Sequence, residues 1–229
     1  MYVFLFLYVI INNMNYEDIL KSDYFNETYK KIEELKKDFY VNHGFIHING
    51  VIKNAKYLAD IFCLNQKQKD LLLIASALHD VGYMLGRENH ASNGGKLVYE
   101  FLKDKMVEED VNLICRAIAC HGGKKEDDFL CPISLCLILA DKLDFTKERY
   151  KDDGKEHENL PLFKSIEKVI LTKEKNNNFR LKIYTTNKEL FKNLNNNYYF
   201  EKLFEVFRKL KNVYSYEIKV DFIEFKSVN

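Results

Sequence analysis

The chain lacks any excess of basic charge: 35 lysines and arginines stand against 34 aspartates and glutamates in 229 residues. Proteins that hold nucleic acid or an anionic membrane surface carry a basic excess or a clustered basic face, so neither partner is expected. A small charged substrate stays open. Paired thiols are lacking too. The five cysteines, Cys63, Cys115, Cys120, Cys131 and Cys136, are odd in number, form no C-x-x-C pair and fall within helical patterns. They read as reduced core residues of a cytoplasmic protein rather than a disulfide framework. No apolar run is long enough to span a bilayer as a helix. The longest, Met1 to Ile11, also lacks the basic flank and small-residue cleavage site of an export signal. Residues 1–13 are therefore an apolar leader of open status: a start set too early, with Met14 as the true one, an added strand or helix, or a membrane anchor. No internal repeat is evident.

What the sequence does have is helical periodicity. From about Asn26 to Ile138 apolar residues recur at helical spacing, with Gly or Pro at the stops. Val51, Ala55, Leu58, Ala59 and Phe62 mark one face, and His47 lies one turn before Val51 on that face. Asn65 and Gln68 have the spacing of a capping box that opens a helix over 66–79, which Gly82 is expected to close. His90 opens the next helix, where Gly94 and Gly95 permit a close neighbour while Val98, Phe101 and Leu102 pack. Val111, Ile114, Ile118 and His121 follow at intervals of three, four and three, so His121 continues a buried stripe that Gly122 and Gly123 end. Pro132 suits the first turn of a further helix, along which Leu137, Asp141 and Asp144 share a face.

After Tyr150 the composition changes. Residues 14–150 are expected to form a helical domain, 151–164 a linker, and 165–229 a small α+β appendage. In the appendage, strands are expected at 166–171 and 179–185, a helix at 198–210 and a strand at 214–225, with asparagine turns at 176–178 and 195–197. The fold class expected is mainly α, a helical bundle with a small α+β C-terminal appendage.

The chemistry lies in polar residues set into the apolar pattern. His47, His79, Asp80, His90, His121 and Asp141 hold four of the chain's six histidines. Such groups are costly to bury unless paired or coordinated, and a metal centre explains all of them together. Simpler readings remain for each: a helix-end histidine favoured by the macrodipole at 79, a water-facing histidine at 90, a satisfied core histidine at 121. Histidine and carboxylate without thiolate suit Fe, Mn, Zn, Co or Ni in a site open to water or substrate. A carboxylate beside a histidine, as Asp80 is beside His79, can bridge two ions. Ions about 3.5–4 Å apart deprotonate a bridging water near neutral pH and clamp both oxygens of a phosphoester displacement. His43 competes with His47 inside HGFIH; Gly44 between them sets His43 ahead of the helix, where it suits a substrate contact.

The order His47, His79, Asp80, His90, His121, Asp141 occurs within HGFIHINGVIKNAKYLADIF, LLLIASALHDVGYMLGRENHASNGGKLVYEFL, ICRAIACHGG and ISLCLILADKLDFTKERY. It resembles the HD-domain metal-dependent phosphohydrolase superfamily over roughly residues 40–150. The resemblance implies an HD-type helical bundle and a centre of two divalent transition-metal ions. His47, His79, Asp80 and Asp141 would hold the first ion, Asp80 would bridge, and His90 and His121 would hold the second. It implies, with His79 and Asp80 as the catalytic pair, hydrolysis of a phosphoester or phosphoanhydride in a nucleotide-like small molecule by activated water. Lys142 and Arg149, near the last aspartate, become candidates to hold substrate phosphate, with Arg87, Lys124 and Lys125 behind them. The Gly-Tyr-Pro signature of the cyclic-dinucleotide subgroup is missing, so that substrate is not inferred. Two rivals stay open: an HD-fold di-iron oxygenase and a non-catalytic HD binding or regulatory module. Residues beyond 165 lie outside the resemblance, and a homo-oligomer remains compatible with it.

Overall fold

The computed structural model describes residues 14–35, 41–151, 155, 157–192, 194 and 197–225; the apolar leader 1–13 lies outside them. Seven helices come first: α1 (Tyr16–Lys21), α2 (Asp23–Leu35), α3 (Phe45–Ile61), α4 (Gln66–Leu78), α5 (His90–Leu102), α6 (Glu108–Cys120) and α7 (Pro132–Lys142). After them come α8 (Leu160–Lys164), β1 (Ile166–Lys173), β2 (Asn178–Thr185), α9 (Tyr198–Tyr214) and β3 (Glu217–Glu224). The protein is mainly α, with a small α+β appendage.

In α7 every residue from Ile133 to Asp141 is buried. A helix apolar on all sides belongs at the centre of a bundle, and α3, α4 and α6 surround it. The α4 helix starts where its capping box dictates: Asn65 Oδ1 accepts from the Gln68 amide at 2.9 Å, and Gln68 Oε1 accepts from the Asn65 amide at 3.0 Å. It ends at Leu78, so His79 and Asp80 stand where the chain leaves the helix.

Gly82, expected to close α4, follows the end of that helix at Leu78. It sits in a 3-10 turn, Val81–Leu85, where a Cβ would lie 1.9 Å from the His90 carbonyl oxygen and 2.6 Å from the Gly94 amide. Its role is close passage beside the start of α5. Gly95 serves the α5–α6 contact as expected, since a Cβ there would lie 2.9 Å from the Cys115 carbonyl.

In the appendage, β1 and β2 pair antiparallel, and β2 pairs parallel with β3 from Asn178↔Glu217 to Thr185↔Glu224. Parallel neighbours need a crossover, and α9 lies in it. The helix runs past the expected end at 210 to Tyr214, where Ser215 at φ 58° ends it; the strand accordingly starts at Glu217, not at 214. The stretch read as linker also holds α8, with Pro161 in its first turn and Leu162 and Phe163 buried. One cluster of buried apolar side chains runs from Ile19 through Leu139 to Leu210 and so joins the bundle to the appendage. Polar clasps reinforce it: Tyr199 Oη donates to the Lys142 carbonyl at 2.6 Å, Tyr214 Oη to that of Phe129 at 2.7 Å, and Lys209 Nζ to that of Gly123 at 2.9 Å. No helix among the described residues is long and apolar enough to cross a membrane.

Candidate metal centre

Five helices and one turn aim their polar residues at a single point. His47 comes from the first turn of α3, His79 caps the end of α4, His90 opens α5, His121 caps the end of α6 and Asp141 is near the end of α7. Asp80 precedes the 3-10 turn. His47, His79, Asp80, His121 and Asp141 are all buried, while His90 is half-buried.

Each ring is oriented by its Nδ1. His79 donates to the Ser76 carbonyl at 2.9 Å, His121 to that of Ile118 at 2.7 Å, and His90 to that of Arg87 at 2.9 Å. His47 Nδ1 instead meets Asp144 Oδ2 at 2.6 Å. All four Nε2 atoms therefore point inward. His47 and His79 bring theirs within 3.2 Å of each other, and His90 and His121 theirs within 3.1 Å. Asp80 lies between the two pairs: Oδ2 is 3.4 Å from His47 Nε2, and Oδ1 is 3.6 Å from His121 Nε2 and 3.9 Å from His90 Nε2. Asp141 Oδ1 is 3.3 Å from His47 Nε2 and 3.9 Å from His79 Nε2.

These residues fit a metal. Bonds of about 2.1 Å to a divalent ion set neighbouring ligand atoms roughly 3.0–3.4 Å apart in octahedral or tetrahedral geometry. Inward-facing ring nitrogens repel without a cation between them. Among the described residues, three groups have donor atoms within 4.8 Å of one another: His43 with His47 and Asp80, His47 with His79 and Asp141, and His79 with Asp80 and His121. Residues 44–146 match the family model described as the HD domain. The chain contains an HD domain. The match is consistent with the HD-domain superfamily, which implies a metal-dependent hydrolase. Comparison with curated proteins gives no match.

The electrostatics of the HD-domain cluster call for positive charge. Burial and Arg149 push His47 down, but hydrogen bonds to Asp141, Asp144 and Asp80 outweigh them and lift it to about 10. Burial alone would raise the Asp80 carboxyl, yet His79, His43 and His47 hold it well below the usual range. Asp141 is likewise held low, by Lys142, His47 and Arg149 against its burial. Burial pushes His43 down to about 4 and His121, with His79 beside it, down to about 3, so both present neutral rings at pH 7. Two ionised carboxylates and a proton-binding histidine already mark a cation's place.

His43 reaches the centre, with Nδ1 3.3 Å from Asp80 Oδ2 and its ring 4.4 Å from that of Tyr83. Lys142, expected to hold substrate phosphate, instead folds its Nζ back onto Asp141 Oδ2 at 2.7 Å. Arg149 lies beyond α7, which ends at Lys142, in a separate 3-10 turn, Lys147–Arg149. There it is buried, donating from Nη1 to the Asp144 carbonyl at 2.7 Å with Nη2 3.4 Å from His47 Nε2. Its Nε has no partner among the described residues. Arg149 and His43 line a cavity of about 240 Å³, while Arg87, Lys124 and Lys125 line an open groove on the His90 side.

Two residues of the site were not singled out from the sequence. Asp144 holds His47, and Gly50 one turn along α3 leaves it room, since a Cβ there would lie 2.1 Å from Asp144 Oδ1. The shared face of Leu137, Asp141 and Asp144 was the available signal. Tyr83 stacks on His90 at 4.2 Å and packs on His43, bridging the two ends of the centre. Nothing in its local sequence marks it.

Proposed function

We propose that this chain is a two-metal phosphohydrolase acting on a phosphoester or phosphoanhydride of a nucleotide-like small molecule. One observation carries the reading: the two oxygens of the buried Asp80 carboxylate face different sets of ring nitrogens, Oδ2 towards His43 and His47, Oδ1 towards His79, His90 and His121. A carboxylate so placed can bridge. His47, His79, Asp80 and Asp141 would hold one divalent ion, and Asp80, His90 and His121 the other. When bound, such a pair supplies Lewis acidity and a water deprotonated near neutral pH.

The remaining work falls to the chain itself. Asp80 stays ionised and fixes the two ligand sets relative to each other. Asp144 holds His47 in the orientation that turns Nε2 inward. Arg149, buried with an unused Nε–H, adds a permanent positive charge beside the ligands, where a phosphate oxygen would be held. His43, neutral and touching both Asp80 and the cavity, is placed to meet the departing oxygen of the substrate.

The test is elemental analysis of protein purified without added metal, combined with a panel of phosphoesters and phosphoanhydrides. We expect close to two transition-metal ions per chain and hydrolysis that Asp80→Ala abolishes. At most one ion in a fully active sample sinks the two-metal centre. Turnover of Asp80→Ala near the wild-type rate removes Asp80 from its role, and oxygen consumption with no hydrolysis selects the di-iron rival.

A further inference from the structure

The cavity beside the centre is walled largely by residues outside the HD domain. Its inner end is His43 and Arg149, and its far wall is Asn159, Phe163, Asn197 and Tyr199. Those four lie beyond residue 146, where the HD match stops. The wall is fixed. Tyr199 is anchored through its hydroxyl to the Lys142 carbonyl, and Phe163 stacks on Tyr150 at 4.4 Å with 7° between the rings.

A chain of hydrogen bonds orients the two amides. Asn197 Oδ1 caps α9, accepting from the amides of Tyr199 at 3.1 Å and Phe200 at 3.2 Å. Its Nδ2 must then donate, and it does so to Asn159 Oδ1 at 2.8 Å. With its oxygen engaged, Asn159 has amide hydrogens without a partner among the described residues, beside the aromatic Phe163 and Tyr199. At about 240 Å³ the cavity falls below the usual range of roughly 300–1,000 Å³ for drug-sized ligands, so it takes one ring system and not two.

We propose that this wall determines the substrate: Asn159, with Phe163 and Tyr199 beside it, binds a planar heteroaromatic ring carrying a hydrogen-bond acceptor, joined to the phosphate held near Arg149. The assignment rests on the hydrolase reading for the phosphate but not for the ring. The aromatic side chains give the ring apolar surface to lie against, and the Asn159 donors meet an acceptor on its edge. A residue after the HD domain thus chooses what the HD domain cleaves.

The experiment is calorimetric titration of the full chain with nucleoside 5′-methylenephosphonates, which cannot be hydrolysed, against the ribose 5-methylenephosphonate that lacks the ring. At least one nucleoside analogue should bind about tenfold or more tightly than the ribose compound. Asn159→Asp keeps an acceptor for Asn197 but loses the donors, and it should bring that ratio close to one with metal content unchanged. Phe163→Leu, which leaves the amide pair in place, should also reduce the ratio and serves as the second variant if Asn159→Asp melts early. Equal binding of ringed and ringless compounds by the wild type, or a ratio that survives both substitutions, overturns the proposal. A ring preference in a chain that hydrolyses nothing supports the wall and defeats only the hydrolase. Equal kcat/KM on nucleoside monophosphates and ribose 5-phosphate does the reverse.

Discussion

His79, His90 and His121 share one local device: each donates its Nδ1–H to the carbonyl three residues earlier and turns Nε2 into the centre. The last carbonyls of a helix lack intrahelical partners, so at the ends of α4 and α6 this bond satisfies one of them and orients a ring at once. His47, in the first turn of α3, is held instead by Asp144 at 2.6 Å. Removing a partner that orients a ligand typically lowers metal affinity by about 10–100-fold. Asp144→Ala is therefore expected to weaken metal binding by that factor in a competition titration against a chelating dye; an unchanged affinity would show that His47 is held by other contacts. The protonation of His47 adds a pH dependence with a definite sign. Without metal it is lifted to about 10 by Asp141, Asp144 and Asp80 against its burial, so an ion binding at pH 7 must displace a proton. The protonated fraction falls as pH rises, and apparent affinity should climb about tenfold per unit between pH 7.5 and 9, levelling towards 10. A flat profile in that window would mean that His47 is already neutral in the metal-free protein.

At the scale of elements, the centre is assembled by how closely α5 can approach the turn after Asp80. Gly82 sets that distance, because a Cβ there would overlap the His90 carbonyl at 1.9 Å. The obstacle is backbone on the first residue of α5 and cannot rotate aside. Gly82→Ala should thus displace His90 from His121, costing roughly 1–3 kcal/mol by overpacking and lowering metal content towards one ion per chain. Thermal melting and elemental analysis would read both effects, and full occupancy in the variant would show that the turn yields without moving His90. The periodicity of α3 to α7, and the caps at Asn65 and Pro132, were legible because they follow from residues one or two turns apart. For the same reason five of the six expected ligands could be placed at or near helix ends before any tertiary contact was known. Arg149 lies off the helix because α7 stops at Lys142 and the chain restarts as a 3-10 turn after Thr146, a break that nothing local announces. Gly82 was legible as a break but not as a close contact, since its partner lies in the next element.

For the whole molecule, the boundary after Tyr150 that composition suggests is not a boundary in the packing. Phe145, in the loop after α7, packs on Tyr199 at 5.3 Å and on Phe200 at 5.7 Å, while Tyr150 stacks on Phe163. These rings belong to the buried cluster that runs through both parts of the chain or pack directly against it. Contacts of this kind were not legible in the sequence: Asn159 and Asn197 are 38 residues apart, and neither carries a local signal that they meet over a cavity beside the histidine–aspartate cluster. A linker with a free appendage would give two independent transitions on heating. Continuous packing predicts one, because unfolding the sheet and α9 would uncover Phe145, Phe163 and Phe129 together. Differential scanning calorimetry of the full chain should therefore show a single cooperative peak, and metal added in excess should move the whole peak upward, since ligand binding to the native state stabilises everything that unfolds with it. Two peaks, of which only the larger responds to metal, would separate the appendage from the HD domain and leave the cavity wall without a fixed place beside the centre.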